Sequence, residues 1–179
     1  TEYSLALAAK MNLPKEELEV LKYAALLHDI GKIGIKDSVL TKNGPFTPEE
    51  FDEMKTHPTK TKTILDKFHF PRHLKQVPEL ALRHHEKLNG TGYPDGLKGD
   101  SIPMGSRILA VADVFDALTS RRDYPKYAFG ETMNPDPMPL AKVTDLMNKE
   151  AGNQFDPQVI DALMKTLAQL LLLHRGDHF

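Results

Sequence analysis

Apolar residues at helical spacing recur along nearly the whole chain, and this pattern constrains the fold more than any other feature. The segment after Pro14 is typical, because one face of its predicted helix carries Leu18, Leu21, Ala25 and Leu26. No stretch alternates apolar and polar residues over the length of a strand, and no internal repeat is visible. The sequence therefore predicts an all-α fold of six or more helices.

Prolines and glycines set the predicted helix boundaries. Thr47-Pro48-Glu49-Glu50 has the pattern of a capping box, and its helix is expected to end near His57-Pro58, because a proline disfavours helical geometry in the residue before it. Further helices are predicted over residues 3–11, 14–29, 74–86, 103–120, 140–151 and 157–173. Four prolines between 125 and 139 predict an irregular insertion.

Length and composition indicate one globular domain spanning residues 1–179. The first helix starts at once, without a turn or linker before it, so we expect it to be clipped. A net charge of −2 gives no footprint for DNA, RNA or a membrane surface. The absence of cysteine excludes disulfides and thiolate ligands. The longest apolar run, 170–173, is too short to span a bilayer, and a cytoplasmic location is the expectation.

Histidines and carboxylates in four segments carry the chemistry. His84-His85 stands directly before a glycine-rich loop at 89–100, where paired imidazoles have little packing value and suit a transition metal. His28-Asp29 offers an imidazole beside a carboxylate that can bridge to a second ion. Asp113 lies within an apolar helix face, where an unpaired charge is costly. A buried cap or ion pair is the alternative for Asp113, and a helix-end role is the alternative for His57.

Basic residues near these groups suggest an anion pocket. Lys32 follows His28 by four positions and lies on the same side if the helix continues, where it would act as a point charge on phosphate. Arg121, Arg122 and Lys126 follow the Asp113 helix and complete the candidate pocket. The alternative for all four is an ordinary solvated side chain. Asp116 is expected in a supporting or packing role.

Four sequence blocks, taken together, resemble the HD-GYP family. They are the His-Asp pair with its following Gly31-Lys32, the His57-Pro58 step, the block from His84 to Pro103, and the helix from Asp113 to Ser120. The resemblance implies an all-α HD-superfamily bundle with a Gly-Tyr-Pro loop. It also implies a phosphodiesterase that hydrolyses cyclic di-GMP to linear pGpG and/or GMP with two or three iron or manganese ions.

The resemblance also assigns residues to roles. Asp29 becomes the bridging ligand, and Asp29 and Lys32 become the catalytic pair. The substrate contacts implied are Lys32, Gly92, Tyr93, Arg122 and Lys126. The metal ligands implied are His28, Asp29, His57, His84, His85 and Asp113. A further ligand histidine is implied upstream of Tyr3, before residue 1.

Two other functions stay open on the sequence. One is a catalytically weak or inactive module that binds a cyclic dinucleotide, or a diguanylate cyclase domain through the Gly-Tyr-Pro loop. The other is an HD-type nucleotidase, which shares His28, Asp29 and Asp113 but gives no reason for the block from His84 to Pro103. A homodimer is a further expectation.

Overall fold

The structure, a computed structural model, describes residues 1–121, 126–128, 131–133 and 136–176, with only the backbone described for 126–128, 131–133 and 171–176. Within these ranges the regular structure is helical apart from two three-residue strands, which confirms the all-α prediction. The helices are α1 (Glu2–Lys10), α2 (Lys15–Leu27), α3 (Asp37–Leu40), α4 (Pro48–Met54), α5 (His57–Leu65), α6 (Val77–Leu82), α7 (Met104–Thr119), α8 (Leu140–Lys149) and α9 (Pro157–Gly176). Short 3₁₀ turns lie at Ile30–Gly34, Arg72–Leu74 and Gly99–Ser101.

One small element departs from the prediction that residues 125–139 are irregular and free of strands. Strands β1 (Lys126–Ala128) and β2 (Glu131–Met133) pair antiparallel, with Tyr127 opposite Thr132. Strands of three residues are too short for a period of two to be detected against the surrounding prolines.

Helix boundaries near the predicted ligands also differ from expectation. The capping box at Thr47 is present, but α4 ends at Met54 and His57 opens α5 instead of closing the previous helix. Pro58 is tolerated there because the first turn of a helix needs no N–H from it. Similarly, α6 is shorter than the predicted helix over 74–86, so His84 and His85 follow its end.

Two apolar clusters share helix α2. The larger joins α2 to α1, α7, α8 and α9, and its most buried members include Leu7, Leu21, Ile108, Leu118 and Met147. The smaller joins α2 to α5 and α6 through Val20, Leu65, Val77 and Ala81, among others. Helix α2 therefore brings the start of α5, the end of α6 and the middle of α7 to its own C-terminal end. In the part of the chain that is described, no helix is both long enough and apolar enough to cross a membrane.

Candidate metal centre

Three histidines of the cluster are oriented by the same local hydrogen bond. In each, the ring Nδ1 lies within hydrogen-bond distance of the backbone carbonyl three residues earlier. The bonds are His28 to Ala25 O at 2.9 Å, His57 to Met54 O at 2.7 Å and His84 to Ala81 O at 2.7 Å. A carbonyl can only accept, so Nδ1 carries the proton and donates it. The Nε2 lone pair of each ring is therefore left free to bind a cation.

These lone pairs converge on Asp29. His57 Nε2 lies 3.3 Å and His84 Nε2 lies 3.9 Å from Asp29 Oδ1, and the two Nε2 atoms are 3.4 Å apart. Both imidazoles are almost wholly buried. Two unprotonated ring nitrogens therefore face each other and a carboxylate. All of these groups are hydrogen-bond acceptors, and no donor lies between them. A cation satisfies this arrangement.

The other side of the cluster joins His28 to two carboxylates. Its Nε2 lies 3.5 Å from Asp29 Oδ2 and 3.8 Å from Asp113 Oδ1, which is beyond hydrogen-bond distance. Across the described side chains, four buried polar atoms have no hydrogen-bond partner, and two of them are His28 Nε2 and Asp29 Oδ1. Because unpaired buried polar atoms are costly, their concentration here fits a bound ion.

Two sets of three donors have the spacing of metal ligands. One is His57, His84 and His85, and the other is His28, Asp29 and His84; within each set the donor atoms lie within 4.8 Å of one another. His84 belongs to both. Imidazole and carboxylate donors of this kind suit iron, manganese or zinc. The residues present therefore fit a metal centre, and Asp113 adjoins it through His28.

The charges of the cluster match this use. Burial, with the neighbouring His28, lowers the pKa of His84 to about 3, and burial with His84 holds the pKa of His85 well below its ordinary value. Burial raises the pKa of Asp29, but His57, Lys32 and the other imidazoles outweigh it and hold that pKa far below the usual range. The pKa of Asp113 is low for similar reasons, with His28 its main partner. Burial lowers the pKa of His28, but Asp113 and Asp29 outweigh it and raise that pKa above its ordinary value. The neutral His84 and His85 and the ionised aspartates are in the forms that bind metal.

Thr61 on α5 holds the turn that carries His28 and Asp29. Its buried hydroxyl accepts the Gly31 N–H at 2.9 Å and donates to the His28 carbonyl at 2.8 Å. The turn lies so close to α5 that a Cβ on Gly31 would be 2.1 Å from the His57 carbonyl oxygen. Sequence reasoning missed Thr61, because a threonine inside a helix carries no signal of a partner thirty residues away.

Glu86 holds the Gly-Tyr-Pro loop in a comparable way. Its buried carboxylate accepts the Asp95 N–H at 2.7 Å and the Leu97 N–H at 3.0 Å. The loop lies against the ligand segment, since a Cβ on Gly92 would be 2.3 Å from Lys87 N. The sequence placed Glu86 beside the paired histidines but gave it no role.

The remaining predicted residues differ in where the structure places them. Lys32 lies at the cluster, with its Nζ donating to Asp29 Oδ2 at 2.5 Å, although it sits in a 3₁₀ turn and not on a continued helix. Tyr93 stacks on the His85 ring with centroids 4.8 Å apart. Arg122 and the side chain of Lys126 lie outside the described residues, so the predicted phosphate contacts there stay predictions. Asp116 accepts a hydrogen bond from Ser120 Oγ at 3.2 Å within α7.

A helical bundle with a buried cluster of histidines and aspartates at the C-terminal end of a central helix has the arrangement of an HD-type metal centre. Comparison with protein families agrees: residues 1–159 match the HD domain family, and the chain belongs to it. The resemblance to HD-GYP proteins is confirmed by the relatives and structures that follow.

Curated relatives match most of this chain, but the match covers only part of each relative. The chain is 44% identical over 163 residues to the "Cyclic di-GMP phosphodiesterase response regulator RpfG" of Xanthomonas campestris, covering 91% of this chain and 40% of that protein. It is 39% identical over 171 residues to the "Cyclic di-GMP phosphodiesterase" of Thermotoga maritima, covering 96% and 44%. It is 37% identical over 164 residues to the "3'3'-cGAMP-specific phosphodiesterase 2" of Vibrio cholerae, covering 91% and 29%. The chain thus spans less than half the length of these relatives.

Among solved structures, the chain resembles "Bd1817, a HDG"Y"P protein from Bdellovibrio bacteriovorus", with a TM-score of 0.69 and 25% identity over 93% of this chain and 49% of that one. A cyclic GMP-AMP phosphodiesterase structure from V. cholerae shares the fold, with a TM-score of 0.66 and 19% identity over 93% of this chain and 42% of that one.

Proposed function

We propose that this chain is the hydrolytic domain of a metal-dependent phosphodiesterase that cleaves cyclic di-GMP. The observation that carries the proposal is the pair of ligand sets that share His84, with the Lys32 ammonium on Asp29 beside them. In a structural metal site such a lysine would only orient the ligating carboxylate. A phosphoester site needs positive charge there, because substrate oxygens replace that contact.

The six predicted ligands are proposed to hold two or three divalent ions, with Asp29 as the bridge. The full set is His28, Asp29, His57, His84, His85 and Asp113. Iron and manganese are the proposed metals, since the donors are imidazoles and carboxylates. Bound divalent ions supply Lewis-acid chemistry, neutralising phosphate charge and making a water more acidic.

The chain's own groups bind and orient the substrate. When substrate enters, the Lys32 ammonium leaves the Asp29 carboxylate and binds a non-bridging phosphate oxygen. The Gly92-Tyr93 backbone and the Tyr93 ring form the wall beside His85, where the loop held by Glu86 excludes water. Arg122 and Lys126 are proposed to contact the second phosphate.

The substrate proposal favours cyclic di-GMP over 3'3'-cGAMP. Relatives named for cyclic di-GMP reach 44% identity, and those named for 3'3'-cGAMP reach 37%. Both molecules present the same two phosphodiesters, so the discrimination must lie in the contacts to the bases. The product is proposed to be pGpG and/or GMP. A diguanylate cyclase domain on the Gly-Tyr-Pro loop and a homodimer also remain proposals.

The test combines metal content with turnover. The chain is loaded with Mn²⁺, or with Fe²⁺ without oxygen, and metal per chain is measured beside hydrolysis of cyclic di-GMP, 3'3'-cGAMP and a nucleoside monophosphate. We expect metal-dependent loss of cyclic di-GMP. Asp113→Asn should abolish it, whereas Asp116→Asn on the same helix should retain it.

Three results would overturn the proposal. Cyclic dinucleotide binding without turnover indicates the non-catalytic module. Hydrolysis of the monophosphate alone indicates a nucleotidase. Equal loss of turnover in Asp113→Asn and Asp116→Asn would mean that the effect comes from disturbing helix α7 and not from the Asp113 carboxylate.

A further inference from the structure

His85 differs from the other histidines of the cluster in how its ring is held. His28, His57 and His84 each donate from Nδ1 to a carbonyl three residues earlier. The ring nitrogens of His85 take part in none of the hydrogen bonds between described residues. A metal-binding imidazole needs some contact that fixes its orientation, because a freely rotating ring binds weakly.

Aromatic rings supply that contact. The Tyr93 ring stacks on His85 with centroids 4.8 Å apart and planes inclined by 30°. On its other sides His85 meets the His84 ring at 4.0 Å and the edge of the His57 ring at 5.0 Å. His84 and His57 are themselves ligand candidates, so Tyr93 is the neighbour whose ring is free for support alone.

The backbone reinforces this pairing. The Tyr93 N–H donates to the His85 carbonyl at 3.2 Å, and a Cβ on Gly92 would lie 2.6 Å from the same oxygen. The Glu86 carboxylate fixes the chain just beyond Tyr93 through two backbone N–H groups. The Tyr93 ring is thus held at a set distance from His85 by contacts that do not involve its own hydroxyl.

We propose that the aromatic ring of Tyr93 is the positioning group for His85, in the role that backbone carbonyls have for the other three histidines. This inference rests on the metal-binding part of the proposed function. It assigns metal support to the ring, and leaves the phenolic hydroxyl for contact with substrate. Removing the hydroxyl and removing the ring should therefore have separable effects.

The experiment titrates the metal-free chain with Mn²⁺ and follows free Mn²⁺ by EPR. Tyr93→Phe keeps the ring and should bind within about twofold of the unchanged chain. Tyr93→Leu removes it and should weaken one ion by about 10–100-fold, as loss of a supporting contact does. His85→Ala should weaken the same ion, and adding Tyr93→Leu to it should cost no more than about twofold further. Tyr23→Leu, whose ring packs on the smaller core cluster, is the matched control.

Full Mn²⁺ affinity in Tyr93→Leu would overturn the proposal, and so would losses that multiply in the double variant. If circular dichroism shows that Tyr93→Leu is unfolded, Tyr93→Met is used instead, with the same expected results. Turnover of cyclic di-GMP is measured on the same samples. An unchanged chain that binds Mn²⁺ without turnover overturns the proposed activity, while the variants still decide the role of the ring. An unchanged chain that binds no metal overturns both.

Discussion

The turn at 28–34 and the loop at 84–97 contain four of the six proposed ligands, and the two segments begin alike. Each follows the end of a helix, and each orients a histidine by a hydrogen bond to the carbonyl three residues earlier. Beyond that they differ. The turn is held by Thr61 of α5. The loop is held partly from within, by Glu86, and partly by the carbonyls of Asn153 and Gln154, which accept from the Asn89 and Leu88 N–H groups.

This difference determines what each segment depends on. The geometry of the turn depends on the packing of α5 against it, because Gly31 lets the two backbones approach. The loop depends less on helix packing, because Glu86 supplies part of its support from within its own sequence. Damage to packing should therefore affect His28 and Asp29 first, and the pair His84-His85 later.

The largest effect is expected at His84, where the two segments meet. The His84 Nε2 has one lone pair and binds one ion, but His84 is a member of both ligand sets. His84→Ala therefore depletes whichever set holds that ion, whereas His57→Ala leaves the set of His28, Asp29 and His84 complete. Mn²⁺ binding in His84→Ala should fall more than about 100-fold, beyond the loss from supporting residues. Isothermal titration of both variants checks the order. Stronger loss in His57→Ala would show that the sets do not share His84.

Gly31→Ala tests the contact between the turn and α5. The new Cβ would lie 2.1 Å from His57 O and 2.4 Å from Thr61 N, which are backbone atoms that cannot rotate away. We expect a loss of about 1–3 kcal/mol in the free energy of unfolding by urea, with weaker Mn²⁺ binding. Gly34→Ala is the matched control, since its Cβ would meet only the flexible Lys60 side chain, at 3.0 Å. Equal stability of the two variants would contradict the close approach.

The sequence was informative where the structure is local. Helical spacing predicted the fold. The paired histidines and their glycine-rich loop marked the segment that Glu86 holds through two backbone N–H groups. The sequence was less informative where geometry depends on distant contacts. His57 was expected to end a helix but begins one, because Pro58 fits the first turn as well as it breaks a last one. Thr61 was missed entirely, and the two antiparallel strands of three residues each were too short to detect.

Thr61→Val removes the external support while keeping the side-chain shape. The buried Gly31 N–H and His28 carbonyl lose their partner, at a cost of about 1–3 kcal/mol in unfolding free energy. Affinity for the ion at His28 and Asp29 should fall about tenfold, as for other supporting contacts. Thr61→Ser keeps the hydroxyl and should behave like the unchanged chain. Similar loss in both variants would assign the effect to packing.

Glu86→Gln weakens the internal support of the loop. The amide can accept only through one atom, so either the Asp95 or the Leu97 N–H loses its bond, at about 1 kcal/mol. Hydrogen exchange should speed up at whichever of these two amides loses its acceptor, while exchange at Gly31 stays unchanged. Glu53→Gln, which removes a charge paired with Lys36 away from the loop, is the control. Faster exchange at Gly31 as well would show that the two segments are not independent.

The smallest effect on metal binding is expected from Lys32→Ala, although turnover should fall. The Lys32 ammonium pairs with Asp29 Oδ2 and so competes with a cation for that carboxylate. Because a partly exposed ion pair contributes about 0.2–1 kcal/mol, the loss of this pair should leave Mn²⁺ affinity unchanged or tighter by no more than about fivefold. Turnover should drop, since the phosphate loses a point charge. Lys36→Ala, which breaks an exposed pair with Glu53, should change neither quantity. Weaker metal binding in Lys32→Ala would mean that the lysine shapes the turn, in the way proposed for Thr61, instead of meeting the substrate.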